Sequence, residues 1–141
     1  MRQWLRAPYV HVGDWADRWY EELPWRKRIA LGVRGEQIAA RHLRRRGLMI
    51  LARNYRAAGA EVDLVVLDRT TLVFVEVKTR AGSGFGAPQD AVDAAKQKRI
   101  RRAAESYAVR RDARGLLMRF DVVAITGAGR NRRLEIIKDA F

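Results

Sequence analysis

Apolar positions along the chain repeat with two spacings, and the switches between them lay out seven elements after a start with no period. From Gly35 to about Arg46, the residues Ala39, Ala40 and Leu43 fall on one helical stripe, and Gly47 supplies a C-cap. Leu48 to Tyr55 predicts a strand centred on Met49-Ile50-Leu51. Glu61-Val62-Asp63-Leu64-Val65-Val66-Leu67 and Leu72-Val73-Phe74-Val75-Glu76-Val77-Lys78 follow, and the turn Asp68-Arg69-Thr70-Thr71 between them predicts a β-hairpin. Arg80 to Pro88 is a loop carrying Gly82, Gly84 and Gly86. It is not a phosphate-binding P-loop, because no Gly-Lys-Ser/Thr follows. Asp90 to Arg111 predicts a second helix with Val92, Ile100, Ala103 and Tyr107 on one face. Lys96 shares that stripe, while Lys98, Arg99, Arg101 and Arg102 lie largely elsewhere. Leu116 to Ile125 is a strand, Thr126 to Asn131 a turn, and Leu134 to Ile137 a closing strand. The order is α-β-β-β-α-β-β, with no internal repeat.

The 141 residues suffice for one domain with a real core. Residues 1–28 are expected to form an extension, and residues 29–141 the domain. All four tryptophans (Trp4, Trp15, Trp19, Trp25) lie in the extension, with Pro8 and Pro24 and beside Arg2, Arg6, Arg18 and Arg26. Such aromatics stack on bases or simply dock on the domain or a partner, and the sequence leaves both readings open.

Composition narrows the chemistry. No stretch approaches the roughly 18 apolar residues of a membrane helix, so the expectation is a cytoplasmic protein without membrane contact. The absence of cysteine excludes disulfides and thiolate metal sites, and the two histidines, His11 and His42, are too scattered for a histidine zinc site. Any metal must be held by oxygen, which favours Mg²⁺ or Mn²⁺. Net charge is +13 and it is clustered. Arg26 to Arg56 holds ten basic residues against Glu36, and Lys96 to Arg114 holds eight against Glu105 and Asp112. Patches of this kind neutralise phosphates and release counterions, so nucleic acid is the expected partner, DNA in particular. The residues expected to meet it are Arg44, Arg45, Arg46, Arg53, Arg56, Lys96, Lys98, Arg99 and Arg102.

Against that charge, three acids stand out. Side chains alternate along a strand, so Glu76 and Lys78 project to one face while Val73, Val75 and Val77 project to the other. Asp63 lies on the paired strand. Two carboxylates and an ammonium so placed can hold a divalent metal and a water, the groups needed to cut a phosphodiester. A Glu-x-Lys pair at a strand end is also common on surfaces, where it contributes a few tenths of a kcal/mol. Glu36 sits on the apolar stripe of its helix rather than among the arginines. It either serves the site or complements the dipole of the helix N-terminus.

The helix glutamate, then Asp, then Glu-x-Lys, in this order of elements, resembles the restriction-endonuclease-like PD-(D/E)xK superfamily. Within it the chain is most similar to the YraN family of small bacterial proteins. The likeness rests on Gly35-Glu36, Ala39, Leu43, Gly47, Asn54-Tyr55-Arg56, Glu61 through Val65, Leu72 through Thr79, Phe85 through Pro88, Ala91-Val92, Lys96, Ala103-Ala104, Tyr107 and Arg119 through Val123. It covers roughly residues 32 to 137. The glycine usually adjoining Glu-x-Asp stands one place earlier, in Gly59-Ala60-Glu61, and the tryptophan-rich start has no counterpart. The resemblance implies an α/β fold with a mixed central sheet flanked by helices. It also implies that Asp63 and Glu76 hold Mg²⁺ or Mn²⁺ with help from the Val77 carbonyl, and that Lys78 orients the attacking water. Glu36 would take the place of the helix glutamate found in related Holliday-junction resolvases.

The function expected on these grounds is metal-dependent endonucleolytic hydrolysis of DNA, branched or processed structures included, with Glu36, Asp63, Glu76 and Lys78 catalytic. The alternatives are a non-catalytic nucleic-acid-binding module that keeps the fold, and a small adaptor docking through its tryptophan arm. Oligomeric state, a homodimer included, is left open.

Overall fold

The computed structural model of the protein describes residues 31–80, 92–127 and 129–141. The tryptophan-rich start and the loop from residue 81 to 91 lie outside these. Helix α1 spans Leu31–Arg45 and is followed by β1 (Met49–Ala57), β2 (Ala60–Asp68) and β3 (Thr71–Arg80). Helix α2 (Ala94–Arg110), β4 (Leu117–Thr126) and β5 (Arg133–Ile137) complete the order, which is the α/β succession that the apolar spacing predicts. Among the described residues no helix is long and apolar enough to cross a membrane.

The strands form one mixed sheet in the order β1-β2-β3-β4-β5. Neighbours are antiparallel except β3 and β4, which run parallel. Two parallel strands cannot be joined by a tight turn, and α2 lies in their crossover. Alternation then covers both faces. Leu64, Val66, Val73, Val75, Val123 and Ile125 pack with Ala39, Ala40 and Leu43 of α1. Val65, Leu67, Leu72, Phe74, Phe120 and Val122 pack with Ile100, Ala103, Ala104 and Tyr107 of α2. The two helices therefore cover opposite faces of the sheet, each with its own core. Truncating a fully buried anchor such as Leu43 to alanine is worth about 2–5 kcal/mol at sites of this kind.

Several boundaries differ from the periodicity, each for a local reason. Helix α2 begins at Ala94 rather than Asp90, because Asp93 is extended (ψ 165°) and its Oδ1 accepts from the Lys96 N–H at 2.7 Å, an N-cap. Val92 is buried and matches the stripe, yet it precedes the helix. Strand β1 continues two residues past Tyr55, since Ala58 (φ 50°) and Gly59 (φ 72°) make a two-residue turn that pairs Ala57 with Ala60. The β2–β3 turn is likewise two residues, Arg69-Thr70, closed by the pair Asp68↔Thr71. Helix α1 starts four residues before Gly35.

Gly35 sets how closely α1 approaches the sheet. A Cβ there would stand 2.2 Å from Thr79 Oγ1, inside any tolerable contact. The close approach brings the first turns of α1 down on the C-terminal end of β3. Gly35→Ala is therefore expected to destabilise by about 1–3 kcal/mol despite alanine's better helix propensity. Adding Thr79→Ala should recover most of that loss. Thermal or urea unfolding of the single and double variants measures both, and an unchanged stability in Gly35→Ala would contradict the contact.

Candidate active site

Strands β2 and β3 pair from Asp68↔Thr71 up to Leu64↔Val75, and there the ladder stops. The next pair in that register would set Asp63 opposite Glu76. Instead the Asp63 carboxylate replaces the ladder, its Oδ2 accepting from the Val77 N–H at 2.7 Å. Beyond this point β2 stays with β1 as far as Ala57↔Ala60, and β3 stays with β4 as far as Arg80↔Thr126. Val62 packs in the α2-side core, against the alternation that holds from Leu64 onward, so β2 rotates as it passes Asp63. The sheet thus opens between β2 and β3, and the acids sit where it opens.

Glu76 is only 5% exposed, which makes its partners decisive. Oε1 takes the ammonium of Lys78 at 3.2 Å and that of Lys96, which reaches it from α2. Oε2 is buried and has no hydrogen-bond partner among the described residues. One oxygen of this carboxylate meets two ammonium groups and the other meets no partner among the described residues.

A second group of polar side chains borders the opening. Asn54, with φ 48°, lies between Arg53 (opposite Leu64) and Tyr55 (opposite Val62), level with Asp63. Its Nδ2 donates to Glu36 Oε2 on α1 at 2.9 Å and to Glu61 Oε1 on β2 at 3.2 Å. Arg56 Nε closes the group on Glu61 Oε2 at 2.7 Å. Glu36 therefore faces the sheet, as its place on the helix stripe predicts, and is tied to the β1–β2 hairpin by one amide.

Residues 35–125 match the sequence model of the uncharacterised protein family UPF0102. The chain belongs to that family. It is similar to the UPF0102 protein of Syntrophotalea carbinolica, 47% identical over 115 residues that cover 82% of this chain and 94% of the relative. The UPF0102 protein of Geobacter sulfurreducens is 48% identical over 112 residues, 79% of this chain and 88% of the relative. That of Chlorobaculum tepidum is 44% identical over 117 residues, 79% and 91%. The span shared with UPF0102 runs from Gly35 to Ile125 and so contains every group described at the opening.

The basic residues of this UPF0102 chain divide by position. Lys96 is committed to Glu76, and Arg56 to Glu61. Arg53 lies on β1 beside Asn54, and Lys98, Arg99 and Arg102 are exposed on the first three turns of α2. Arg44, Arg45 and Arg46 end up elsewhere. Helix α1 sets its early turns against Thr79 and Ile125, and its chain returns to the sheet at Met49↔Leu67, the opposite end. The triplet is nine or so residues beyond Glu36, about 13 Å along the helix. Apolar spacing could not reveal Asn54 or Glu61 as site neighbours. The available signal was an asparagine inside a strand, one of the few residues that tolerates a left-handed backbone.

Donor chemistry suits a hard cation. Asp63 and Glu76 offer carboxylate oxygens, and the partnerless, buried Oε2 of Glu76 is a polar atom that otherwise has no compensation. Among the described residues no three acidic or histidine side chains form a complete cage. Magnesium typically keeps several waters and uses one or two carboxylates plus substrate oxygens. Burial and then the neighbouring Glu76 push the Asp63 carboxyl up to about 7, with the Val77 hydrogen bond opposing them.

A carboxyl whose folded pKa lies above its unfolded value binds more protons in the folded state, so stability falls as pH rises from about 4 to 7. Asp63→Asn keeps an acceptor for Val77 and removes the charge. With a chelator present, it should raise Tm at pH 8 by a few degrees and leave Tm at pH 4 nearly unchanged. A variant no more stable than wild type at pH 8 would mean that Asp63 is not under this strain.

Proposed function

We propose that this protein is a metal-dependent nuclease that hydrolyses phosphodiesters of DNA. The observation that carries the reading is the meeting of Asp63, Glu76 and Lys78 where β2 leaves β3, with one Glu76 oxygen unpartnered among the described residues. The resemblance of the Asp…Glu-x-Lys order to the PD-(D/E)xK superfamily supports it, and so does the strongly basic chain.

Asp63 and Glu76 would hold Mg²⁺ or Mn²⁺, with the Val77 carbonyl as the further ligand that the resemblance implies. A bound divalent cation would lower the pKa of water and offset charge developing on the phosphate. The protein's own groups do the positioning. Lys78, held 3.2 Å from Glu76 Oε1, presents an ammonium beside the carboxylates, where it orients a water and attracts a phosphate oxygen. Lys96 holds the buried Glu76 carboxylate from the opposite element. Asn54 fixes Glu36 at the mouth of the opening, where its carboxylate can accept from a water. Asp63 must be ionised to serve as a ligand, so cation binding should weaken as pH falls through about 7.

A second reading is a nucleic-acid-binding module without cleavage. The Lys96–Glu76 ion pair favours it, since that lysine neutralises the acid without a metal ion.

Cleavage assays on linear, branched and single-stranded DNA with Mg²⁺ or Mn²⁺ separate the two. For a nuclease, Glu76→Gln should reduce cleavage to background while DNA affinity stays equal or rises, because a charge repelling phosphate is removed. Lys78→Ala should lower the rate by about 10²–10³, the cost of losing one stabilising charge in a catalytic site, with metal binding retained. Cleavage by Glu76→Gln at the wild-type rate would end the mechanism. Tight binding with no cleavage of any substrate would favour the binding module.

A further inference from the structure

We infer that the turn joining β4 to β5 is a docking surface for the nucleic-acid backbone, through Arg130, Arg132 and Arg133. The inference rests on the nucleic-acid reading above and adds where the substrate lies.

The arginines of the described residues fall into those held by a structural partner and those that are not. Arg119 is held among Asp121 and Asp68, with Nε–Oδ1 at 2.9 Å and Nη2–Oδ2 of Asp68 at 3.1 Å. Arg56 pairs with Glu61, and the Arg101 guanidinium lies 4.6 Å from the Phe120 ring centroid. Arg130, Arg132 and Arg133 have no carboxylate partner among the described residues, and Arg130 and Arg133 are exposed. From Thr126 to Leu134 the chain holds three arginines and no acid. Three like charges within four residues repel, so their clustering favours an anion that bridges them.

Part of the turn is described. Gly127 has φ +78°, and a Cβ there would meet the Asn131 carbonyl oxygen at 2.7 Å, so the chain folds back tightly on itself. A short 3₁₀ turn, Gly129–Asn131, follows, and the Arg132 N–H donates to the Gly129 carbonyl at 3.4 Å.

Register places this turn relative to the acids. Glu76 is level with Val122, and Thr126, where the turn begins, is level with Arg80 at the same end of the sheet. Four residues of rise and one to two strand spacings separate Glu76 from the turn, about 15 Å in all. A backbone resting on these arginines would therefore lie only a few nucleotides from a phosphate at the acids. The β1–β2 hairpin borders the opening on the other side, so the substrate would run across the end of the sheet.

The test is salt-dependent binding of a duplex of about 20 base pairs by three proteins: wild type, Arg130→Ala/Arg132→Ala/Arg133→Ala, and Arg110→Ala/Arg111→Ala/Arg114→Ala. The last removes equal charge from the far end of α2 and the segment after it. Each phosphate that is no longer neutralised should reduce the slope of log K against log salt by about 0.9. If all three arginines neutralise a phosphate, the affinity of the turn variant should fall about 40-fold less than that of wild type between 50 and 200 mM salt. The control should keep the wild-type slope. Circular dichroism checks that both variants fold, and Arg130→Glu/Arg133→Glu offers a second variant with a larger expected loss. A wild-type slope in the turn variants, or an equal loss in the control, would overturn the assignment. Polyglutamate of equal charge competing as well as DNA would assign the turn to an acidic protein instead. Absence of duplex binding by wild type would end the nucleic-acid reading itself, a result distinguishable from failure of the turn alone.

Discussion

The hydrogen bond from the Val77 N–H to Asp63 Oδ2 is the interaction on which the site depends. A β-ladder that continued past Leu64↔Val75 would use the Val77 amide for main-chain pairing and turn Asp63 and Glu76 into an ordinary cross-strand acid pair. Two like charges directly opposite destabilise a sheet. By turning its own oxygen to that amide, Asp63 ends the pairing of β2 with β3 while leaving no orphaned donor. The opening needs support on both sides, and it has it. Strand β1 holds β2, and β4 holds β3, so the sheet parts between β2 and β3 while its edges stay paired.

Electrostatics and packing meet at the same place. Glu76 is buried on the face covered by α2, and the ammonium groups of Lys78 and Lys96 converge on a single one of its oxygens. That asymmetry explains how a charge tolerates burial and why one lone pair set is left over. Asp63, with less compensation, responds by holding its proton more tightly. Two carboxylates in one cleft are thus set in different environments, one paired with two lysines and one holding its proton more tightly. Helix α1 is part of the arrangement as well. The absence of a Cβ at Gly35 lets it settle on Thr79, and Asn54 then ties its Glu36 to the hairpin.

Much of this is legible in the sequence. Strict alternation in Leu72–Lys78 separates Glu76 and Lys78 from Val73, Val75 and Val77, and the helix spacing of Ala39, Ala40 and Leu43 puts Glu36 inward. Both hold in the structure because a half-buried strand or helix has only one way to hide its apolar face. Lys96 on the stripe of α2 is legible as an inward lysine, though its partner is not, since that requires knowing that α2 covers the Glu76 face. Other features depend on single residues. Asp93 caps a helix that periodicity alone starts four residues sooner, and Asn54 enters through a backbone conformation that no period encodes. The arginine clusters are visible as charge, but charge carries no direction along a helix. Only the strand register places Arg44, Arg45 and Arg46 far from the acids, and Arg130, Arg132 and Arg133 at their end.

On the proposed reading, Asp63 and Glu76 together form one cation site. Mn²⁺ binding followed by water proton relaxation in the absence of DNA tests it most directly, on wild type, Asp63→Asn and Glu76→Gln at pH 8. Weak, single-site binding by wild type is expected, with each substitution abolishing it and Mg²⁺ competing it away. Equal Mn²⁺ binding by all three proteins would contradict the claim and place any metal elsewhere on the chain.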